Sequence, residues 1–557
     1  MRPPFPYATW ILRMKRALQF VAPMAAAAVL ALGLAPAFAQ SAGGQVKVQS
    51  LTAPDPEGFG LLQPPEGFAA DLWQDTPRPL VENLLPRIPG AGTSRALTDL
   101  GRRLVLSMQK PPAGPATKNF LGLRAERAAA LGQVPAAAAI LRSAATPQTD
   151  PALRRIRADG AFLSGDTPGA CSEVEGALRQ STDAYWQKAA AFCDAVSGKT
   201  ASASLSLDVL REQGLATDRA FFILMDSLAG KPGTVESLPD PTPLHLAMIR
   251  ALRQTIPPDA ARTKNPAMLR AIAESAQAET LTHIEAAEQA EALGVLPTAS
   301  LVSLYEAVTF RPDELTNATV TAGVVYGPRS RALLHQAAKA ASDPKARIDE
   351  LTAAFTLGRK GGLYGTAVRT MSPFLRDVPA GADTASFAPE AARAFLSESD
   401  LSGARPWLAL LKSSPASTDA GLWALARLAG ATEADGATAA RVKAAAGAGG
   451  QSPRALRLNA LFDAFDRPVE PDLWTAQIND NASLPATVGE VAAWQALARD
   501  GGTLRTGETA LLALVVLAKP KPPHPLPLGI AVRALKASGM EADARRIAVE
   551  QALKDGF

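Results

Sequence analysis

Apolar residues recur every three or four positions along most of the chain, and polar residues fill the positions between them. This spacing is typical of amphipathic α-helices, whereas half-buried strands alternate apolar and polar residues. Runs rich in Val, Ile, Thr and Tyr, which favour strands, are few. Alanine is abundant, has the highest intrinsic helix propensity and lets helices approach closely. The pattern therefore predicts an all-α fold.

The helical pattern repeats early in the chain. Segments 123–141, 156–174 and 189–207 align without gaps, each 33 positions after the one before, and each contains a glycine with an alanine seven positions before it and another five after it. Such a period indicates stacked helical hairpins. Glycine suits the turn because it adopts the left-handed conformation readily, and alanine suits the point where two helices cross. The turn glycines are Gly132, Gly165 and Gly198, and the helix-crossing alanines are Ala125, Ala137, Ala158, Ala170, Ala191 and Ala203.

These repeats resemble the tetratricopeptide repeat. Gly165-Asp166 matches the Gly-Asp turn of that family, and Val174 and Ala177 match its later packing positions. The chain departs from the family where an aromatic is expected in the first helix, at Ala128, Ala161 and Asp194. The resemblance covers about 100 positions of the chain and is diffuse beyond them. It implies a right-handed α-solenoid with a period of about 33 positions, and a role in protein–protein interaction.

Composition divides the chain into further segments. Pro and Gly dominate the stretch before the repeats, so we expect an irregular N-terminal extension with two short helices that covers the first repeat. Breaks rich in Pro or Gly, near 231–243, 312–329 and 443–453, are predicted joints of one long solenoid. The predicted divisions are 1–39 for a signal peptide, 40–117 for the extension, 118–240 for tetratricopeptide-like repeats, 241–450 for continued helical hairpins and 451–557 for C-terminal hairpins and a cap.

The final hairpin is predicted to close the solenoid. Residues 529–553 show a helix, a turn at Gly539 and a second helix. Terminal repeats need a polar outer face because nothing stacks on them. The second helix offers such a face, which consists of Glu541, Asp543, Arg545, Arg546 and Glu550.

The start of the chain, at positions 1–39, predicts an export signal. Basic residues within 13–16 precede an apolar stretch at 17–34, and Ala37-Phe38-Ala39 supplies the small residues of a cleavage site. An uncleaved membrane anchor is the alternative, but the stretch is short for a bilayer and contains Pro23. The sequence therefore predicts a secreted protein, located in the periplasm, with no transmembrane segment after cleavage.

Cleavage changes the charge of the chain. The formal net charge is +4, and positions 1–39 hold four basic residues and no acidic ones, so the mature chain is neutral. Translation from Met14 instead of Met1 leaves the same mature chain. A neutral chain has no general attraction for polyanions. The charge therefore argues against a nucleic-acid partner.

One segment resembles a phosphate-binding loop. Ser197-Gly198-Lys199-Thr200 matches the end of the GxxxxGK[ST] motif, but Cys193 stands where the motif requires its first glycine. No buried strand precedes it, as the motif also requires. We interpret the segment as a repeat turn, and no cofactor is predicted.

Candidate metal and catalytic residues are scattered. The sequence has no HExxH spacing and no GxSxG motif. His283 with Glu285 and Glu288 is interpreted as a solvated helix face, and no pair of carboxylates stands out. We therefore predict neither a metal site nor an enzyme. The four histidines are His245, His283, His335 and His524.

Cys171 and Cys193 are the only cysteines. Stacking would make them neighbours on adjacent repeats, and an oxidising compartment favours a disulfide between them. Two buried thiols are the alternative. Most tryptophans are interpreted as packing anchors, with a ligand groove as the alternative for one or two of them. These are Trp73, Trp186, Trp407, Trp423, Trp474 and Trp494.

The sequence favours a non-enzymatic periplasmic scaffold or adaptor that binds a protein or peptide of the cell envelope on a helical-repeat surface. One alternative is an accessory subunit of an envelope machine for flagellar assembly, secretion or polysaccharide export. Another is an accessory of cell-wall enzymes, similar to the superhelical part of lytic transglycosylases. Those enzymes add a compact catalytic domain, and no catalytic glutamate can be placed in this sequence.

Overall fold

The computed structural model describes residues 55–92, 94–144, 150–214, 217–412, 420–432, 452–466, 487–500, 505–519 and 522–557. The predicted signal peptide, Trp474 and most of the predicted joint near 443–453 lie outside these ranges. Within them, 26 α-helices and four 3₁₀ helices are present, and the only extended pairing is one isolated bridge between Leu62 and Ser107. The prediction of an all-α fold is confirmed. No described helix is both long enough and apolar enough to cross a bilayer.

The first ten helices are α1 Arg78–Leu84, α2 Arg95–Leu106, α3 Phe120–Ala130, α4 Val134–Arg142, α5 Pro151–Ser164, α6 Thr167–Leu178, α7 Ala184–Val196, α8 Thr200–Glu212, α9 Arg219–Leu228 and α10 Pro243–Leu252. The next ten are α11 Pro266–Ala273, α12 Thr280–Ala292, α13 Thr298–Glu306, α14 Pro312–Thr316, α15 Ala318–Val324, α16 Pro328–Ala340, α17 Pro344–Lys360, α18 Tyr364–Arg376, α19 Ala388–Ser397 and α20 Leu401–Leu410. The last six described are α21 Ala420–Leu428, α22 Pro453–Ala464, α23 Val488–Asp500, α24 Thr506–Leu517, α25 Pro525–Ala537 and α26 Glu541–Lys554. The 3₁₀ helices are Pro56–Gly58, Leu85–Arg87, Pro258–Arg262 and Ala382–Phe387.

Helices α3 to α8 form three successive hairpins whose turns carry the predicted glycines. Gly132, Gly165 and Gly198 have φ angles of 79°, 81° and 81°, which glycine adopts without strain. Gly165 ends α5, and Asp166 then begins α6 by accepting a hydrogen bond of 3.0 Å from the Gly169 N–H. A left-handed glycine followed by a capping aspartate thus stops one helix and starts the next.

Small residues let these helices pack closely. The six helix-crossing alanines are at most 5% exposed. Where α4 packs against α5, a Cβ on Gly160 would lie 2.4 Å from the Cβ of Ala138. Any side chain at position 160 therefore has to push the two helices apart, which explains why the repeats are rich in alanine and glycine.

Distant parts of the chain share one hydrophobic core. One cluster of buried residues combines positions 68–153 with positions 318–557, and a second cluster occupies mainly positions 158–308. Helix α2 lies in the first cluster and packs against α3, α24 and α26. Its buried stripe, Leu97, Leu100 and Leu104, has helical spacing. The predicted N-terminal extension therefore does more than cover the first repeat, because it also packs against the C-terminal helices.

The prediction that the polar face of α26 points to solvent is wrong for two of its five residues, Asp543 and Glu550, whereas Glu541 is exposed. Asp543 is only 6% exposed and binds the Arg103 guanidinium of α2. Glu550 accepts a hydrogen bond of 2.9 Å from the Ala96 N–H at the start of α2. These partners on α2 precede Asp543 and Glu550 by 440 and 454 positions, and they bring part of the polar face of α26 into an intramolecular contact.

The two cysteines lie at disulfide distance. Cys171 in α6 and Cys193 in α7 have Sγ atoms 1.99 Å apart and Cα atoms 5.6 Å apart. Both side chains are partly buried, and they join consecutive hairpins of the repeat region. The bond would close a loop whose ends are 22 positions apart.

We expect removal of this bond to lower the free energy of unfolding by about 3 kcal/mol, because the unfolded chain regains the freedom that the closed loop had removed. The variant is Cys171→Ala with Cys193→Ala, measured by urea unfolding beside the oxidised parent protein. Reductant should destabilise the parent by a similar amount and leave the double variant unchanged. A loss below about 0.5 kcal/mol would mean that packing alone fixes the two hairpins.

Candidate functional site

A cavity of about 960 Å³ opens between helices from both ends and the middle of the chain. Its walls come from α2, the turn after α12, the junction of α17 and α18, α19 and α26. Twice as many cationic as acidic side chains line it, so we name it the arginine cavity. The cationic residues are Arg95, Arg359, Arg369, Arg393, Arg546 and Lys554, and the acidic ones are Asp99, Glu398 and Glu550.

One buried carboxylate holds the floor of the arginine cavity in place. Glu291 is fully buried at the end of α12, and its oxygens lie 2.6 Å from Arg369 Nε and 3.3 Å from Arg95 Nη1. The hydroxyls of Thr298 and Thr366 each donate to it at 2.7 Å. Glu291 therefore fixes two of the six cations and ties α2 and α18 to α12.

The charges of this cluster depend on one another. Burial opposes ionisation of Glu291, but the hydrogen bond and charge of Arg369, followed by the charge of Arg95, outweigh it and lower the pKa of Glu291 to about 2. Burial likewise opposes the charge of Arg369, yet Glu291 and Glu398 raise its pKa above the usual value. At neutral pH the floor of the cavity therefore consists of ionised groups in fixed positions.

Three cations at the rim are more exposed. The side chains of Arg359, Arg546 and Lys554 are 41%, 42% and 39% exposed. Arg359 binds Glu390 and Arg546 binds Asp99, in each case through the Nη2 group. Because a guanidinium carries five N–H donors in a planar fork, both retain donors for a ligand.

The start of α18 adds to the positive potential. Residues 362–366 line the cavity, and α18 begins at Tyr364 after the left-handed Gly362. The first N–H groups of a helix are free of intrahelical partners and carry the positive end of its dipole. Arg393 also lines the cavity, and its Nη1 group donates to the Phe557 main-chain oxygen at 2.6 Å. The cavity thus offers side-chain and backbone donors to an anion.

The residues predicted from the sequence lie elsewhere. The cysteines, turn glycines and helix-crossing alanines all belong to α3–α8 and their turns, away from the cavity lining. Trp73, Trp186, Trp407 and Trp423 are 2–4% exposed, and Trp494 is partly buried. The described tryptophans therefore pack within the protein, and the aromatic residues that line the arginine cavity are Tyr364 and Phe557.

The histidines are dispersed through the fold. Burial lowers the pKa of His335 to about 4, so this side chain is neutral at pH 7. In the described ranges, no group of three or more His, Cys, Asp or Glu residues has a metal-binding arrangement. His245 lies in α10, His283 in α12, His335 in α16 and His524 at the start of α25.

The interpretation of Glu288 as part of a solvated face is wrong. Its side chain is 1% exposed, accepts a hydrogen bond of 2.7 Å from the Tyr305 hydroxyl and pairs with Arg331. Arg331 is 43 positions away along the chain, so the sequence around Glu288 gives no sign of the pairing. Glu288 and Glu291 lie three positions apart on α12, and both face the interior.

Sequence reasoning missed the arginine cavity. A signal was available in residues 359–369, where three glycines and three cations surround the start of a helix. Glycine-rich helix starts with nearby cations are common anion sites. The remaining cavity residues come from distant segments of the chain, among them 95–99, 292–294 and 546–557.

No protein-family model matches the chain, and no match was found among curated proteins or among solved structures. The resemblance to the tetratricopeptide repeat therefore rests on the residues that suggested it.

Proposed function

We propose that this protein is a non-enzymatic scaffold or adaptor of the cell envelope, and that it binds an acidic peptide segment of a partner protein in the arginine cavity. The observation that carries this proposal is the convergence of six cationic side chains from five helices on one cavity of about 960 Å³. Pockets that hold ligands typically enclose about 300–1,000 Å³. The cavity is therefore large enough for several residues of a peptide.

The arrangement of the cations favours a ligand with several carboxylates. Arg95 and Arg369 are held at the floor by Glu291, whereas Arg359 and Arg546 lie at the rim. Arg binds carboxylates through paired N–H donors, and donors spread over a cavity can each meet a separate acid. An acidic stretch of polypeptide presents carboxylates at such intervals.

We also propose that α3–α8 form a right-handed solenoid of tetratricopeptide-like hairpins and that the leader directs the chain to the periplasm. The period of 33 positions, the left-handed turn glycines and the buried alanines support the solenoid. The basic and apolar leader and the cysteine pair at disulfide distance support export.

Crosslinking in cells tests the proposed function. A photoreactive amino acid replaces Ser397, which lines the arginine cavity, and a second variant carries it at Ala201 on the exposed face of α8. We expect a defined polypeptide adduct at position 397 and none at position 201. Adducts are identified by mass spectrometry.

The same adduct should depend on the rim charges. Arg359→Gln with Arg546→Gln is expected to abolish it, because the acidic segment loses two of its partners. The matched control is Arg179→Gln with Arg211→Gln, which removes two exposed helix arginines outside the cavity. An adduct that survives the cavity substitutions would refute the acidic-peptide site, and an adduct with cell-wall glycan alone would point to the cell-wall accessory.

A further inference from the structure

A second cavity adjoins the arginine cavity. It encloses about 410 Å³ between α2, α24, α25 and α26, and we name it the apolar pocket. Seven aliphatic side chains, each at most 8% exposed, line its walls. Pockets lined mainly by aliphatic side chains accept apolar groups. The seven are Ile88, Leu97, Leu131, Leu514, Leu517, Leu528 and Ile547.

The two cavities share part of one helix. Glu550 and Lys554 of α26 line both of them. The Lys554 Nζ atom lies 2.7 Å from Glu550, and the two side chains are 39% and 24% exposed. Half-exposed pairs one helical turn apart contribute little to stability. Lys554 can therefore turn from Glu550 to a ligand carboxylate, while Glu550 keeps the Ala96 N–H.

Most other polar groups around the apolar pocket already have partners. Asp555 is held by Arg457, whose Nε atom lies 2.9 Å from a carboxylate oxygen. Lys519 binds Glu490. Lys554 differs from them because it is the cation that lines both cavities, which places it to bind a ligand carboxylate at their boundary.

We propose that the two cavities form one composite site, and that the ligand is a peptide segment in which acidic residues are followed by bulky apolar side chains. The acids would occupy the arginine cavity and the apolar side chains the apolar pocket. This inference rests on the proposed function and specifies the chemistry of its partner. A fatty acid has one carboxylate, whereas six cations spread over a cavity of about 960 Å³ suit several carboxylates on one chain.

Fluorescence anisotropy with three short labelled peptides tests the composite site. The first peptide has a run of Glu and Asp followed by Leu-Phe, the second has Ser in place of Leu-Phe, and the third has Lys in place of the acids. We expect the first peptide to bind at least about tenfold more tightly than the second, because burying a large apolar side chain shifts a dissociation constant by that factor. The third should not bind.

Filling the apolar pocket isolates its contribution. Ala518 and Ala91 both line the pocket and are only partly buried, so either position can accept a larger side chain. Ala518→Phe is expected to bring the affinity for the first peptide down to that for the second. Ala91→Phe is a second filling variant in case the first folds poorly. Ala201→Phe, on the exposed face of α8, is the control and should change neither affinity.

The outcomes separate this inference from the proposed function. Equal affinities for the two acidic peptides would overturn the composite site and leave the acidic-peptide site standing. Failure of both acidic peptides to bind would overturn the proposed site together with this inference. Tight binding of palmitate with no binding of any peptide would also overturn both, and would assign the cavities to a lipid.

Discussion

Replacement of Glu291 by Gln is expected to lower the free energy of unfolding by about 3–4 kcal/mol at pH 7, which is the usual cost of breaking a buried ion pair from one side. Gln keeps the volume of the side chain but removes the charge that Arg369 and Arg95 require. Thr298 and Thr366 donate to different oxygens of the carboxylate, so the amide N–H₂ group of Gln would also leave one of these two hydroxyls without its acceptor. Urea unfolding at neutral pH measures the loss.

At acidic pH, the free energies of unfolding of the parent protein and of Glu291→Gln should differ less than at pH 7. The pKa of Glu291 is lowered to about 2 in the folded protein, from an ordinary value of 4.5. The stability that this carboxylate contributes is therefore fully present above pH 4.5 and lost as the pH falls toward 2. At pH 3 we expect the gap to be about 2 kcal/mol smaller than at pH 7. If the difference in free energy of unfolding stayed the same from pH 7 to pH 3, the charge of Glu291 would not be the cause of the difference.

Glu285→Gln provides the matched control. Glu285 lies on the same helix, and its partner Arg262 has a side chain that is 73% exposed. Exposed pairs contribute at most about 1 kcal/mol. A comparable loss in both variants would mean that the buried ion pairs of Glu291 are not the source of the effect.

The features predicted correctly are those that neighbouring residues determine. The helical period, the left-handed glycines and the buried alanines of α3–α8 depend on contacts within a hairpin or between adjacent ones. The cysteine pair also depends on a contact between adjacent hairpins, because its members are 22 positions apart and lie on consecutive hairpins. The contact between α6 and α7 brings them together.

The features that were missed depend on charges that meet across the fold. Glu291 pairs with Arg369 across 78 positions, and Arg103 pairs with Asp543 across 440. The sequence around a glutamate on an alanine-rich helix does not distinguish a buried side chain from a solvated one, because the partner lies far away along the chain. For this reason the sequence predicts neither the contacts of the α26 polar face with α2 nor the arginine cavity that both helices line.

A second buried charge, Arg124, holds the N-terminal segment of the described chain. Its side chain is fully buried in α3 and donates to three main-chain oxygens. The distances are 3.1 Å to Val105, 2.8 Å to Glu57 and 2.7 Å to Ser107. Burial lowers its pKa to about 9, so the guanidinium is still charged at pH 7. One side chain thus ties residues 57 and 105–107 to the first repeat.

We expect Arg124→Met to lower the free energy of unfolding by about 3 kcal/mol, because three buried carbonyl groups lose their donor and each unmade hydrogen bond is costly. Arg124→Lys should recover part of this loss, since an ammonium keeps the charge but cannot form the planar fork. Hydrogen exchange should also quicken at the amide of Leu61, which donates to the Leu106 oxygen at 2.8 Å within the tied segment.

Arg142→Met, at the exposed end of α4, is the control and should change the free energy of unfolding by less than about 0.5 kcal/mol. If Arg124→Met lost no more stability than this control, or if exchange at Leu61 stayed slow, packing alone would hold the segment in place.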